Sequence, residues 1–475
     1  VRPPRSSVAH LPLPLPTHTH AVPPRVPGRP TIATDQRGPD SLDEPIGVAG
    51  RRRARRNMAP LVGGQAVSLF GDYIAFFSLP YFVLALTAEP LDLGLTAAAE
   101  TLPMLLFGLV AGVILDRWRN LRGALIAVDV ARAAVFTILA FAAANGAGTR
   151  WLVFGVAFII GTLSVFFDSG LQTLMPSVID DDMLIGANSQ LAVARMATLS
   201  IGPLVGGILI ALSGGFAIAF LINAATFLVS AAFLTMLRVV HDRPAASSEA
   251  FRESLADGLR FLLGDPRLRW ATLGGTLTNL VFQPLEALLV LFVVTEVLDL
   301  PADTIGDLTT VGASVGIFYA LNAAIGALGA SFAPRVSGRL PLGTMYVIGL
   351  FFVGGGFLAL AIIGTFLAVI PAGLTFVGIT WVNVSLTTMR QRLTPPELLG
   401  RVIAASRTLA WIGLPLGAAI GGMIAGQVGV VPVYVGGSLL VLIIAIFLLG
   451  TALVRDPVMA DPGDEDVPLP WADRS

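Results

Sequence analysis

Apolar residues arrive along this 475-residue chain in twelve long runs. Six lie near 59–86, 94–115, 122–144, 151–175, 189–212 and 215–237. After a polar gap, six more lie near 270–297, 306–332, 342–363, 366–389, 402–427 and 431–454. A spanning helix needs roughly 20 mostly apolar residues, so each run can cross a bilayer. The pattern predicts an all-α membrane protein of twelve transmembrane helices. The least marked division falls at Gly364, inside the long stretch 342–389.

The placement of arginine orients these helices. Arg51, Arg52, Arg53, Arg55 and Arg56 precede the first run. Connections on the same side hold Arg117, Arg119 and Arg122, then Arg238, Arg243, Arg252 and Arg260. Arg335, Arg339, Arg390, Arg392 and Arg401 follow on that side, whereas the opposite connections hold only Arg150. Cytoplasmic loops carry the excess of basic residues, so both termini are expected in the cytoplasm. The acidic Asp180, Asp181 and Asp182 sit on that side too, but acids count for little in this rule.

Four regions flank or join the helices. Residues 1–57 are rich in Pro and Arg, lack an apolar signal segment, and are expected to form a disordered tail. Residues 1–50 are expected to be dispensable, with Met58 a natural start ahead of the first span. Two six-helix bundles follow at 58–237 and 270–454, with a second cytoplasmic tail at 455–475. Between the bundles, 238–269 places Phe251, Leu255, Leu259 and Leu262 on one helical face, as an amphipathic linker at the membrane surface would.

Composition agrees and narrows the chemistry. Hydrophobic residues make up 55% and charged residues 13%, too few charges to cover a water-facing surface. There is no cysteine, which removes disulfides, thiolate catalysis and Cys-type zinc sites. All 30 basic residues are Arg, so the Lys of a Walker A loop is missing. Neither an HExxH motif nor a His within a span suggests an enzyme. The sequence implies no cofactor, no metal and no nucleic-acid partner. The Arg-only usage points to a bacterial, GC-rich source.

The two halves repeat. Thr173–Gly186 and Thr387–Gly400 correspond at an offset of 214 residues, Gly63-Gly64 and Gly274-Gly275 at 211, and Gly94 and Gly306 at 212. Gly202-Pro203-x-x-Gly206-Gly207 aligns, with one slip, with the stretch ending Gly421-Gly422. Parallel repeats of six spans describe a transporter whose halves rock about a central site.

Gly112-Val-Ile-Leu-Asp116-Arg117-Trp-Arg119-Asn-Leu-Arg122 resembles the cytoplasmic signature of the major facilitator superfamily, with Arg119 replacing a Gly. Gly202, Pro203, Gly206 and Gly207 resemble the motif of its antiporters and exporters. Ser68-Leu-Phe-Gly71-Asp72, Asp129-x-x-Arg132, Ala187-Asn188 and Gly400-Arg401-Val402 are similar to its enterobactin-exporter and macrolide-efflux branch. The likeness covers 58–455. It implies the major facilitator fold, with spans one, four, seven and ten around a central cavity.

All four of those spans carry a polar residue at depth: Asp72, Asp168, Glu286 and Asn383. A charge at the bilayer centre costs about 2.5–3.5 kcal/mol, so each needs a reason. Together with Glu100 they are candidates for binding substrate and protons, the alternative being interhelical glue. Asp72 and Glu286 have no Arg within their own spans. Gly112, Asp116, Arg117, Arg122, Asp129, Arg132 and Arg195 are expected to form a cytoplasmic gate. The glycine-proline motif is expected to bend or pack span five. The reading is a monomeric secondary transporter in the bacterial cytoplasmic membrane, exporting an amphipathic siderophore, macrolide or drug against protons. Its alternatives are an uptake permease of the same fold and a non-transporting receptor or scaffold.

Overall fold

The computed structural model describes residues 48–116, 120–238, 251–300 and 308–459. The first half contains α1 (Val48–Thr87), α2 (Pro90–Asp116), α3 (Leu121–Ala144), α4 (Arg150–Val178), α5 (Asp181–Ser213) and α6 (Ala217–Met236). The linker helix is α7 (Phe251–Gly264). The second half contains α8 (Pro266–Ala287), α9 (Leu289–Phe292), α10 (Leu308–Ala330), the short α11 (Ala333–Ser337) and α12 (Leu342–Ile363). It ends with α13 (Val369–Leu393), α14 (Pro396–Val428), α15 (Val430–Leu449) and the short α16 (Ala452–Arg455). Eleven helices among the described residues are long and apolar enough to cross a membrane, and the bent pair α8–α9 makes a twelfth. The division at Gly364 stands, because that residue ends α12 with a left-handed φ of 55°.

The first helix starts at Val48, ten residues before the expected edge of the bundle. Its extension has a structural task. The Asn57 side chain donates to the carbonyls of Val178 and Arg238, both at 2.7 Å, and accepts from the Arg238 N–H at 3.1 Å. It thereby satisfies backbone groups left open where α4 and α6 end. A start at Met58 removes this clamp, so only the residues before Val48 keep the expectation of being dispensable. Those residues and the far C-terminal tail lie outside the described residues.

The seventh span is bent by 49° between α8 and α9, where the apolar run predicted one continuous helix. Pro284, one turn ahead of the break, has no N–H to give the Leu280 carbonyl and weakens the ladder leading into the bend. The Tyr434 hydroxyl donates to the Leu285 carbonyl and so meets a backbone need beside the break. Glu286 lies at this bend. The other end of α8 is capped by Asp265, which accepts from the N–H groups of Arg267 and Leu268 at 2.9 and 3.2 Å. Burial pushes the Asp265 carboxyl up, but its bonds to Arg267 and Leu268 outweigh this and hold it below the ordinary range.

The halves meet along α2 with α14 and along α5 with α10. Both crossings are built from glycine. A methyl group on Gly207 would lie 2.2 Å from the Gly312 carbonyl oxygen and 3.1 Å from the Gly316 Cα. A methyl group on Gly422 would lie 2.9 Å from the Gly94 Cα. Gly202 serves the same helix on another side, where its methyl would come within 2.5 Å of Tyr73 Cβ, and Gly206 faces Phe77. Thus the motif in α5 packs that helix against α1 and against the other half. The repeat correctly matched Gly207 with Gly422. Gly94 finds its contact in α14, while Gly306 lies outside the described residues.

Helix direction places these glycine contacts in the third of the bundle farthest from the arginine-rich turns, and the α2–α14 crossing continues from there to Gly108 against Trp411. At the far end α1 meets α9, and Phe77 of α1 packs edge-on against Tyr319 of α10 at 5.8 Å. At the arginine-rich end, α4 and α13 share no extended contact. The halves are closed together at one end and separated at the other. The linker helix α7 docks on the start of α14, with Gly258 against the Arg401 carbonyl and Asp257 paired with Arg401 at 3.3 Å.

Valine at Gly207 or Gly422 is predicted to push the halves apart, lower the melting temperature of the purified protein and stop transport. Gly426→Val, where a side chain would meet nothing within 4 Å, is the control and is predicted to leave both unchanged.

Candidate functional site

Four helices of the first half bring charged side chains to a common space. Two adjoining cavities of about 230 and 510 Å³ share Leu69, Asp72, Arg132, Asp168 and Arg195. On α1, Gln65, Ser68, Leu69 and Asp72 follow helical spacing, so one face of an otherwise apolar helix is polar. Arg132 comes from the middle of α3, Asp168 from α4 and Arg195 from α5.

Arg132 is only 3% exposed and is held from several sides. Its Nη1 lies 3.5 Å from Asp129 Oδ1, and its Cζ lies 4.5 Å from the Phe167 ring and 5.2 Å from the Phe227 ring. A guanidinium over aromatic faces gains from their quadrupoles, more so away from water. Asp129 also accepts a hydrogen bond from Ser230. Arg195 donates to the Tyr73 hydroxyl. Arg132, Arg195, Asp129 and Asp168 all lie within electrostatic reach of Asp72. Three carboxylates therefore face two guanidinium groups, and Asp72 is not the isolated charge that its own span implied.

Three residues expected at the cytoplasmic gate belong to this arrangement or adjoin it. Arg132 and Arg195 line the interior cavities with Asp72, while Asp129 is buried behind Arg132, bonded to Ser230 of α6. Arg122 donates to the Leu237 carbonyl and so caps α6 within its own half. The Asp116 side chain, the surroundings of Gly112, and Arg117 lie outside the described residues.

Glu100 and Glu286 form a different environment. Glu100 lines the smaller cavity with Asp72, and Gly161 fits against its backbone carbonyl. Glu286 is within electrostatic reach of Glu100, and the hydroxyls of Tyr319 and Tyr434 lie within reach of Glu286. Among the described residues, no guanidinium contributes at Glu286. Glu286, beside the bend of the seventh span, is thus within reach of a carboxylate of the other half, and that carboxylate, Glu100, is exposed. Asn279 and Gln283 share the Glu286 face of α8, a stripe at i, i+4 and i+7 that sequence reasoning missed. Asn383 is exposed on α13 and lies outside the two cavities.

Both cavities are lined by residues of the first half alone. The model of the Major Facilitator Superfamily matches residues 61–417. The chain belongs to that superfamily. Within it, macrolide efflux protein A of Streptococcus pyogenes is 22% identical over 385 residues, covering 81% of this chain and 93% of that protein. The multidrug efflux pump Tap of Mycolicibacterium fortuitum is 26% identical over 396 residues, covering 80% and 92%. Among solved structures, the nucleoside transporter NupG superposes with a TM-score of 0.64 at 15% identity, covering 83% of this chain and 98% of that one. A bacterial homologue of the iron transporter ferroportin in its inward-facing state gives 0.61 at 19% identity, covering 83% and 99%. These structures share the fold. The chain is a multi-pass membrane transporter with efflux proteins among its relatives.

Removing one partner of a buried ion pair costs about 3–5 kcal/mol, because the other charge is left stranded. Arg132→Gln is therefore predicted to lower the melting temperature sharply. The double variant Asp129→Asn with Arg132→Gln should recover part of that loss. Additive losses in the double variant would show that the two residues do not support each other.

Proposed function

We propose that this transporter exports an amphipathic organic molecule, of the siderophore, macrolide or drug kind, across the bacterial cytoplasmic membrane in exchange for protons. The observation that carries this reading is Glu286, which has a carboxylate of the other half, Glu100, within electrostatic reach and no guanidinium contributing there among the described residues. Charge in a low-dielectric site is tolerated when paired or neutralised. A proton or a bound cationic group can neutralise Glu286, and the two alternatives exclude each other. That exclusion is the thermodynamic basis of antiport. Asp72 has a different proposed role, since Arg132 and Arg195 already compensate it. With Asp168 it organises the substrate-facing wall of the first half. Asp116 and Arg117 keep their proposed role as a gate at the arginine-rich end.

The direction of transport and the orientation rest on further support. The arginine-rich end is the cytoplasmic one by the distribution of basic residues, which puts both termini in the cytoplasm. The separated ends of α4 and α13 then correspond to a form open toward the cytoplasm, ready to load an exported molecule. The relatives named as a macrolide efflux protein and a multidrug efflux pump favour the same direction. The protein is proposed to act as a monomer, each chain enclosing its own cavity.

The test uses everted vesicles, a pH gradient and a panel of macrolides and amphipathic dyes. Glu286→Gln is predicted to abolish accumulation against a gradient while downhill movement persists. Asp72→Asn is predicted to slow transport but keep its dependence on the pH gradient. Uphill export at the normal rate by Glu286→Gln would move the coupling site elsewhere, and loss of downhill movement as well would make Glu286 a general binding or folding residue.

A further inference from the structure

The second half carries a pair of arginines that the account above leaves unused. Arg390 is only 9% exposed, and its Nε has no hydrogen-bond partner. Arg407 of α14 lies close enough for the two guanidinium groups to repel each other. Among the described residues, no carboxylate forms an ion pair with either one. The Tyr346 hydroxyl is also near Arg390, but it donates its hydrogen to the Ala271 carbonyl at 3.0 Å. It is a neutral neighbour and supplies no counter-charge.

Helix geometry shows where these side chains face. On α14, Gly413 and Gly417 pack against α8, Trp411 and Gly422 meet α2, and Ile412, Leu416, Ile420 and Met423 are exposed on the outer side. At 3.6 residues per turn, Arg407 falls between the two packed faces and opposite the outer one. On α13, Gly373 and Phe376 pack against α10, Gly378 packs against α12, and Ile370 and Leu374 are exposed outward. Arg390 and Asn383, seven residues apart, share the side opposite the outward one, where Phe376, a further seven residues back, meets α10. Arg407 therefore faces the space between the halves, and Arg390, buried beside Tyr346 within the second half, stands behind it.

A buried guanidinium beside a second one, with no acid in reach, is stable when an anion completes it. Planar, forked donors suit carboxylate and phosphate-like groups. We infer that Arg390 and Arg407 form an anion subsite in the second half, binding a carboxylate, phosphate or sulfonate group of an amphipathic molecule. Beside the cationic group that would displace a proton at Glu286, this gives the proposed substrate an anionic group as well, so that it is a zwitterionic amphiphile. The subsite rests on the proposed function only in taking the space between the halves as the binding site. The same chemistry is offered by an anionic phospholipid headgroup, so the test separates the two sources.

The full chain is placed in nanodiscs of phosphatidylcholine, and binding of two fluorescent probes is measured without any gradient. Dansylglycine carries a carboxylate, and dansylglycinamide is its uncharged counterpart. The wild type is expected to favour dansylglycine by about tenfold or more, the worth of one charge-assisted hydrogen bond. Arg407→Gln and Arg390→Gln are expected to erase that preference, and Arg407→Lys to keep most of it. Arg407 is exposed, so its substitution leaves packing intact and a loss in that variant reports charge. Phosphatidylglycerol added to the nanodiscs decides the source. Displacement of dansylglycine by the lipid assigns the subsite to headgroups, and unchanged binding assigns it to the transported molecule. No preference in the wild type, or a preference that survives in both glutamine variants, overturns the subsite. An inner gate in which these arginines serve only to pair with Asp168 also predicts no preference. Because no transport is measured, failure here leaves the proton-exchange reading standing, and failure of the vesicle test leaves the subsite standing.

Discussion

Charge inside a membrane-spanning bundle must be answered by opposite charge, by hydrogen bonds or by a ligand, because lipid offers neither ions nor water. Most of the interior of this transporter follows from how its two halves meet that demand. The first half answers internally. Arg132 and Arg195 stand among Asp72, Asp129 and Asp168, and Phe167 and Phe227 shield Arg132 from the chain's surroundings. The meeting place of the halves does not answer internally, since no guanidinium contributes at Glu286 among the described residues and Glu100 adds only negative charge. The second half holds the converse imbalance at Arg390 and Arg407. The unsatisfied charges therefore lie where exchangeable partners can reach them.

The scaffold keeps those charges in place while allowing movement. Gly207 with Gly312 and Gly422 with Gly94 bring backbones from opposite halves into direct contact at one end of the bundle. Small residues at such crossings replace the hydrophobic drive that lipid removes. At the other end, Asn57 and Arg122 tie the helix ends of the first half to one another, and α7 ties itself to α14. Each half is thus internally fastened, and the contacts between halves concentrate in two crossings. Rigid halves that meet along two helix crossings suit the rocking motion of a two-bundle transporter.

Much of this was legible from hydrophobic periodicity alone. The twelve spans, the repeat and the polar residues at depth follow from residue spacing, because lipid enforces the pattern strictly. The partners of those residues were less accessible. Asp129-x-x-Arg132 has the spacing of a local helical pair, which suggested a gate, yet Arg132 also reaches toward Asp72 on another helix. The direction in which α3 faces is set by packing with α4 and α6, and no local pattern encodes it. The bend at Glu286 was signalled by Pro284, which lay unused inside an apolar run. Asn57 lay in a polar segment expected to be a tail, and only the convergence of α4 and α6 gives it a partner. Gln283 and Asn279 were detectable as a polar stripe at helical spacing, had α8 been searched by face as well as by charge.

The central claim is that Glu286, and not Asp72, ties protonation to the movement of the halves. The chain has no cysteine, so paired labels can be introduced without background. Spin labels at Gln172→Cys on α4 and Gln391→Cys on α13, both exposed near the arginine-rich end, report the separation of the halves there. Pulsed electron resonance of the reconstituted protein should give a distance distribution that shifts between separated and closed forms as pH is varied. The account predicts that this pH dependence disappears in Glu286→Gln and persists in Asp72→Asn. A pH-dependent distribution that survives in Glu286→Gln, or that is lost only in Asp72→Asn, would contradict it.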